Sequence, residues 1–223
     1  GNTFTGMFSD AETFDQNISN WDVSNGTEFN AMFRDADAFN QDIGGWDVSS
    51  GTNFSNMFNG ADAFDQNIGS WDVSSGTDFG GMFEYALTFN QDISSWNVSA
   101  GTDFGMMFNE ASAFNQDIGS WDVSSGNYFS WMFSNADAFN QNIGNWDVSD
   151  TASLDGMFTD AELMQSNLGF SATPTSADFN RTIFIDRTSL DTAVAAWIAN
   201  ETTATATYGD INTWDVRAIT DFS

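Results

Sequence analysis

The sequence predicts an α/β fold, a right-handed solenoid of 25-residue coils with a parallel sheet on one face. Three observations predict it. The pair Met-Phe recurs at Met7, Met32, Met57, Met82, Met107, Met132 and Met157, always 25 residues apart. Trp21, Trp46, Trp71, Trp96, Trp121 and Trp146 keep that step, as do Ile18, Ile43, Ile68, Ile93, Ile118 and Ile143, with Leu168 ending the series. A single coil cannot bury its own Phe, Met, Ile and Trp, whereas superposed coils seal one another into a continuous core.

Each coil then divides into elements. Phe29, Met32, Phe33, Ala36 and Phe39 fall at intervals of 3, 1, 3 and 3, which marks one face of a short helix or helical turn. Asn40-Gln41-Asp42 is a polar turn. Trp46 and Val48 alternate around Asp47 with the period of a strand. Gly51 opens the next coil, where entry into a helix needs an unrestricted backbone. Ile43-x-x-Trp46-x-Val48 also has the spacing of Leu-x-x-Leu-x-Leu, so the solenoid is leucine-rich-repeat-like.

Periodicity stops after Leu168, so residues 1–168 form the solenoid of about seven repeats. Residues 169–181 contain the only proline, Pro174, among Ser, Thr and Ala, and read as a linker. Residues 182–223 read as a capping helix and the start of a second array. Leu190, Val194, Trp197 and Ile198 give that helix an apolar stripe from about residue 188 to 199, with Asp186 or Ser189 as N-cap. Ile211 to Val216 repeats the strand motif, followed by Thr220-Asp221-Phe222. Both ends of the chain fall at unit boundaries, as expected of a piece of a longer, multi-module protein.

Composition narrows the chemistry. The 223 residues include 32 acids, four Arg, no Lys, no His and no Cys, for a net charge of −28. Zinc sites, cysteine nucleophiles, Ser-His-Asp triads, disulfides and Schiff bases are excluded. Phosphate-rich partners are repelled, so no nucleic acid is expected. No apolar run is long enough to span a bilayer. Aromatics at 16% separate the chain from disordered acidic proteins.

Four columns stand out. Asp22, Asp47, Asp72, Asp122 and Asp147 stack beside Asn97 if the Trp-Asp-Val segments are strands. Carboxylates about 4.8 Å apart repel by roughly 1 kcal/mol in water and roughly 3–4 kcal/mol at an effective dielectric near 20. Three things relieve such a column: a cation such as Ca²⁺ bridging neighbours, protonation of some members, or hydrogen bonds to backbone and Ser49-type hydroxyls. The Asp column is the candidate metal site, and Ca²⁺ the one candidate cofactor. The Asx-Gln-Asx turns, with Gln16, Gln41, Gln66, Gln91, Gln116 and Gln141, form an amide ladder. Thr27, Thr52, Thr77 and Thr102 read as helix caps. Trp131, in a column that holds Gly6, Ala31 and Gly81, is the candidate binding-face residue, exposed as an anchor or filling a local groove. No unique carboxylate pair departs from the repeat, so no catalytic residue is assigned.

The unit resembles the 25-residue repeat of BspA-like leucine-rich-repeat surface proteins, also called the mycoplasma lipoprotein repeat. Met32-Phe33, Ala38-Phe39-Asn40-Gln41-Asp42-Ile43 and Trp46-Asp47-Val48-Ser49 carry the resemblance over about three quarters of the chain. Two columns depart from it. Gly26, Gly51, Gly76, Gly101 and Gly126 replace the family's usual Val or Ile, and Phe29, Phe54, Phe79, Phe104 and Phe129 its usual Met. A volume exchange fits both, a lost side chain making room for a ring three residues on, and Thr151 with Leu154 reverses it in the seventh unit, whereas the tail does not fit, because Ile219 and Phe222 are both large. The resemblance implies a non-enzymatic extracellular or cell-surface protein that binds or adheres. The alternative is a structural subunit of a filament, sheath or surface layer that assembles end to end. Expected partners are protein or glycan at a cell surface, or copies of the chain itself.

Overall fold

A computed structural model describes residues 3–179, 182–183, 187–208, 211 and 214–216. Through the repeats, the chain winds in superposed turns of 25 residues. Their register is fixed by parallel bridges from Thr3 to Glu28, Asn53, Asp78, Asp103, Tyr128 and Ser153 in succession. Each bridge is one residue wide.

The expected α/β architecture is therefore wrong in its secondary structure. No helix and no strand forms between residues 3 and 161, and no parallel sheet lines a face. The arm from Phe29 to Phe39 is a chain of turns. Met32, Arg34, Ala36 and Phe39 donate their N–H groups to the carbonyls of Phe29, Ala31, Phe33 and Ala36. Ala31 and Asp35 have left-handed φ values of 54° and 53°, and each is the third residue of one of these turns, where a type II turn requires positive φ. A helix cannot run through two left-handed residues in five. The intervening N–H groups of Phe29, Ala31, Phe33 and Asp35 point along the stack, to the carbonyls of Asn53, Ser55, Met57 and Asn59 in the next coil. Alternate amides thus close turns and join coils.

The Trp-Asp-Val segment is not a strand either. Turns close on both sides of it, Trp46 N–H to Ile43 and Gly51 N–H to Val48. Side chains replace the missing ladder. Trp46 Nε1 donates to the Ile18 carbonyl of the preceding coil at 3.2 Å, and Trp71, Trp96, Trp121 and Trp146 repeat the bond. Ser50 and Ser75 hydroxyls reach the carbonyls of Ser24 and Ser49 in the same way.

The core follows the sequence pattern closely. Phe33, Phe58, Phe83, Phe108 and Phe133 stack at 5.6–5.7 Å, and Phe39, Phe64, Phe89, Phe114 and Phe139 at 5.9–6.1 Å. The indoles of Trp71, Trp96 and Trp121 line up at 6.4 and 6.5 Å. Each fully buried ring contributes about 1.5–3 kcal/mol relative to an exposed one. The volume exchange is visible from the second coil to the sixth. A Cβ on Gly51, Gly76 or Gly101 would lie 2.4–2.5 Å from the ring tip of Phe54, Phe79 or Phe104. None of these glycines has left-handed φ, so space, not backbone freedom, is what Gly51 supplies.

Residues 162–179 close the stack. α1 (Glu162–Leu168) ends at Gly169 with a left-handed φ of 71°. Residues 169–181 were expected as a linker, yet Phe170 and Phe179 are buried in the core. Phe179 stacks on Trp146 at 6.4 Å, and Phe170 packs on Phe158 at 4.9 Å. The helix expected over 188–199 is α2 (Arg187–Ala199), followed by α3 (Glu201–Tyr208). Its buried residue is Ala193, against Leu190, Tyr208, Trp214 and Val216, while Ile198 of the expected stripe is 74% exposed. β1 (Thr182–Ile183) and β2 (Trp214–Asp215) pair in parallel. Asp186, Ile219 and Phe222 lie outside the described residues.

Candidate functional site

In the Asp column, hydrogen bonds to the serine two residues on hold Asp22, Asp47, Asp72 and Asp122. Asp47 Oδ1 accepts the Ser49 N–H at 3.1 Å and the Ser49 hydroxyl at 2.6 Å, a closed Asx turn. Asp22 and Asp122 do the same with Ser24 and Ser124, and Asn97 with Ser99. The serine hydroxyl first, and the serine N–H second, hold the Asp22, Asp47, Asp72 and Asp122 carboxyls below the usual carboxylate range. Neighbouring Asp72 and Asp22 push Asp47 the other way, but by less. Of the three expected forms of relief, hydrogen bonding is the one the geometry displays. Among the described residues no group of three or more Asp or Glu gathers to hold a metal ion.

The amide ladder has a second logic. Asp15 Oδ1 accepts both the Asn40 N–H and Gln41 Nε2 of the next coil, at 3.0 and 2.7 Å. Asn40, Asp65, Asn90 and Asn115 repeat this toward Gln66, Gln91, Gln116 and Gln141. The position needs only an acceptor oxygen, which is why Asn and Asp interchange there. The Thr column caps no helix. Thr52, Thr77 and Thr102 donate to the carbonyls of Thr27, Thr52 and Thr77, joining coils.

Large apolar side chains stand exposed at Tyr85 and Leu87 in the fourth coil and, in greater number, at a second region. Trp131 is 43% exposed, and Tyr128 and Met106 stand exposed beside it in the fifth and sixth coils. Trp131 follows Met106 in one column, and Tyr128 follows Asp78 and Asp103 in another. The rings are seated. A Cβ on Gly156 would meet the Trp131 ring at 3.1 Å, and one on Gly105 would meet the Tyr128 ring at 2.3 Å. Ser130 between them is buried and shares a 2.7 Å hydrogen bond with Ser153. Both Met106 and Trp131 hold left-handed φ, 57° and 62°, in a column where Gly6, Gly81 and Gly156 adopt it without steric cost. Trp131 was legible in the sequence; Tyr128 and Met106 were missed, although both replace small or acidic residues of their columns. Asp103 below Tyr128 accepts the Gly105 N–H at 2.9 Å, and burial pushes its carboxyl up.

Other clefts lie along the coils. One of about 440 Å³ lies between Asp117, Ser120, Gln141, Asn145 and Leu168, and is lined by side chains of the turn ladder. No helix among the described residues is long and apolar enough to cross a membrane.

A family model described as "Mycoplasma protein of unknown function, DUF285" matches residues 2–89 and 67–171. No curated protein and no solved structure matches the chain. The match covers most of the chain and all of the stacked coils, with its two segments overlapping inside the repeat, so the chain belongs to this repeat family, DUF285.

Proposed function

We propose that the protein is a non-enzymatic binding module of the BspA-like surface type, working outside the cell or on its surface. The observation that carries this is the pair of seated, exposed rings Trp131 and Tyr128, with Met106 exposed in the preceding coil, on coils whose other exposed positions are mostly polar. Exposed aromatics on a fixed base are the anchors from which interfaces draw most of their affinity. Absence of catalysis is supported by the residue inventory and by the turn acids, whose oxygens already accept backbone N–H groups. A stack of identical coils also suits display, because each coil offers one residue per column to a continuous surface.

The test is an array of immobilised glycans and extracellular proteins, probed with the intact chain. Saturable binding that falls in a Trp131→Gly, Tyr128→Asp variant supports the reading. Retention that is equal for parent and variant removes this face from it.

End-to-end assembly is the second reading. The polarity of the stacking bonds favours it, since each coil presents carbonyls toward one end of the stack and N–H groups toward the other. The burial of Phe170 and Phe179 over the last coil weighs against continued stacking at the other end. Sedimentation over a wide concentration range separates the two readings, because mass that grows without limit belongs only to the second.

A further inference from the structure

The geometry points to an arginine-bearing polypeptide segment as the occupant of the Trp131–Tyr128 face. This inference rests on the binding-module reading and names the chemistry of its partner.

The argument begins with what the rings offer. The indole of Trp131 and the phenol of Tyr128 lie against the backbone of Gly156 and Gly105, so one side of each ring is fixed and the side chains are exposed. Little side-chain entropy is then lost when a flat group stacks on them. A guanidinium is flat, weakly hydrated and attracted to the negative face of an aromatic ring, with Trp the strongest partner.

Charge supplies the second half. Asp103 lies next to Tyr128 through a parallel bridge, and Asp78 lies next to Asp103. Oδ1 of each accepts a glycine N–H, from Gly105 and Gly80, which fixes the carboxylate and leaves its other oxygen uncommitted to that bond. Asp155 stands exposed in the next coil, whose carbonyl takes the Trp131 N–H. Among the described residues no cationic side chain pairs with these acids. Arg34 is the only basic side chain in residues 1–175, three coils from Met106, and it pairs with Asp35 at 3.1 Å. A net charge of −28 makes the surroundings repel an anionic ligand and draw a cationic one. A neutral sugar uses the rings but gains nothing from that field, whereas arginine uses both.

The column itself provides the variants. Glycine occupies the Trp131 position in three other coils, and aspartate occupies the Tyr128 position in two. Trp131→Gly and Tyr128→Asp therefore place residues that the fold already accepts. Asp47→Asn, in the distant serine-bonded column, removes one charge without touching the face.

The full-length chain is titrated by calorimetry in about 0.15 M salt with three probes: a twelve-residue peptide alternating Arg and Gly, its Lys counterpart, and a neutral oligosaccharide of glucose. The Arg peptide is expected to bind saturably and more tightly than the Lys peptide. Trp131→Gly should weaken it about tenfold, and Asp47→Asn less than twofold. Circular dichroism confirms that each variant is folded. Equal affinity of the Arg peptide for parent and Trp131→Gly overturns the inference, since diffuse charge then explains the binding. Trp131-dependent binding of the oligosaccharide without binding of the Arg peptide overturns it too, yet leaves the binding-module reading standing. If no probe binds, the inference also falls, and the array decides the broader reading by itself.

Discussion

The two ends of the stack are built from the same coil and finish differently. Among the described residues no coil covers the first one. Trp21 stands far more exposed than Trp46, and Phe4, Phe8 and Phe14 are only partly buried while their counterparts in the next coil are fully so. The seventh coil is covered by Phe170 and Phe179. The backbone runs with one polarity through the stack. Amides point up the stack, so the first coil gives its N–H groups to Glu28, Asn30, Met32 and Arg34. Among the described residues nothing donates to its carbonyls at Thr3, Thr5, Met7 and Ser9. The last coil faces the opposite problem, N–H groups without a following coil. Gly156 N–H finds the Thr173 hydroxyl, and Phe158 N–H finds the Ala172 carbonyl. The cap over the seventh coil thus answers its amides, the groups that a following coil would otherwise pair.

The largest effects should come from rings that this comparison separates. Phe83→Ala, in the middle of the stack, and Phe179→Ala, in the cap, should each cost about 3–5 kcal/mol. Trp21→Ala should cost clearly less, since that indole is already half in water. Because stacked repeats open piecewise, the measurement is native-state hydrogen exchange, read coil by coil. Equal losses of protection for Trp21→Ala and Phe83→Ala would mean that neighbour coverage does not control stability.

Next in size is overpacking. Gly76→Val drives a branched side chain into the Phe79 ring and should cost about 1–3 kcal/mol. Phe79→Met in the same chain should restore most of the loss, a coupling that a double-mutant cycle in urea measures directly. Additive costs for the two changes would show that the glycine and ring columns do not share one space.

How much of this was legible follows from what repeats. The ring columns and the Gly–Phe exchange were readable because seven copies leave one consistent geometry. The secondary structure was not. A 3-1-3-3 spacing fits a helical face, but it equally fits successive turns whose left-handed residues do not look left-handed. Ala31, Tyr85, Met106, Glu110 and Trp131 hold positive φ, and none is a residue that announces it. The alternation of Trp46 and Val48 suggested a strand, while the indole N–H and serine hydroxyls that replace the ladder carry no period-two signal. The cap was hidden for the opposite reason. Phe170 and Phe179 occur once, in a stretch otherwise rich in Ser and Thr, so no repetition marks them as core.

The left-handed positions give the third prediction, smaller and opposite in sign. Ala31→Gly should stabilise by about 0.5–1 kcal/mol, the relief of a strained φ less the entropy that glycine adds to the unfolded chain. Ala36→Gly, five residues on and fully buried without positive φ, should destabilise instead. Urea midpoints of the two variants should move in opposite directions, and movement in the same direction would contradict the turn geometry of the arm.

The smallest effects are electrostatic, and they divide the acids into two groups of opposite sign. Asp22, Asp47, Asp72 and Asp122 are held low by their serines, so their stabilising share is fully present above the unfolded carboxyl value of about 3.9 and is lost as pH falls through their lower folded values. Asp62 and Asp103 are raised by burial first and by neighbouring aspartates as well. Their charge opposes folding at neutral pH, and that opposition is relieved as pH falls through their raised folded values. Stability should therefore rise slightly on mild acidification before it declines. Asp103→Asn keeps an oxygen for the Gly105 N–H, so it should raise the urea midpoint at pH 7 and flatten the rise. Asp47→Asn should change little at pH 7, because Asn97 already makes the same two bonds to Ser99. Urea titrations from about pH 3 to 7 read both limbs at once. A parent chain whose midpoint falls steadily from neutrality downward, with Asp103→Asn tracking it in parallel, would show that the aspartate beneath Tyr128 is not desolvated by the coils around it.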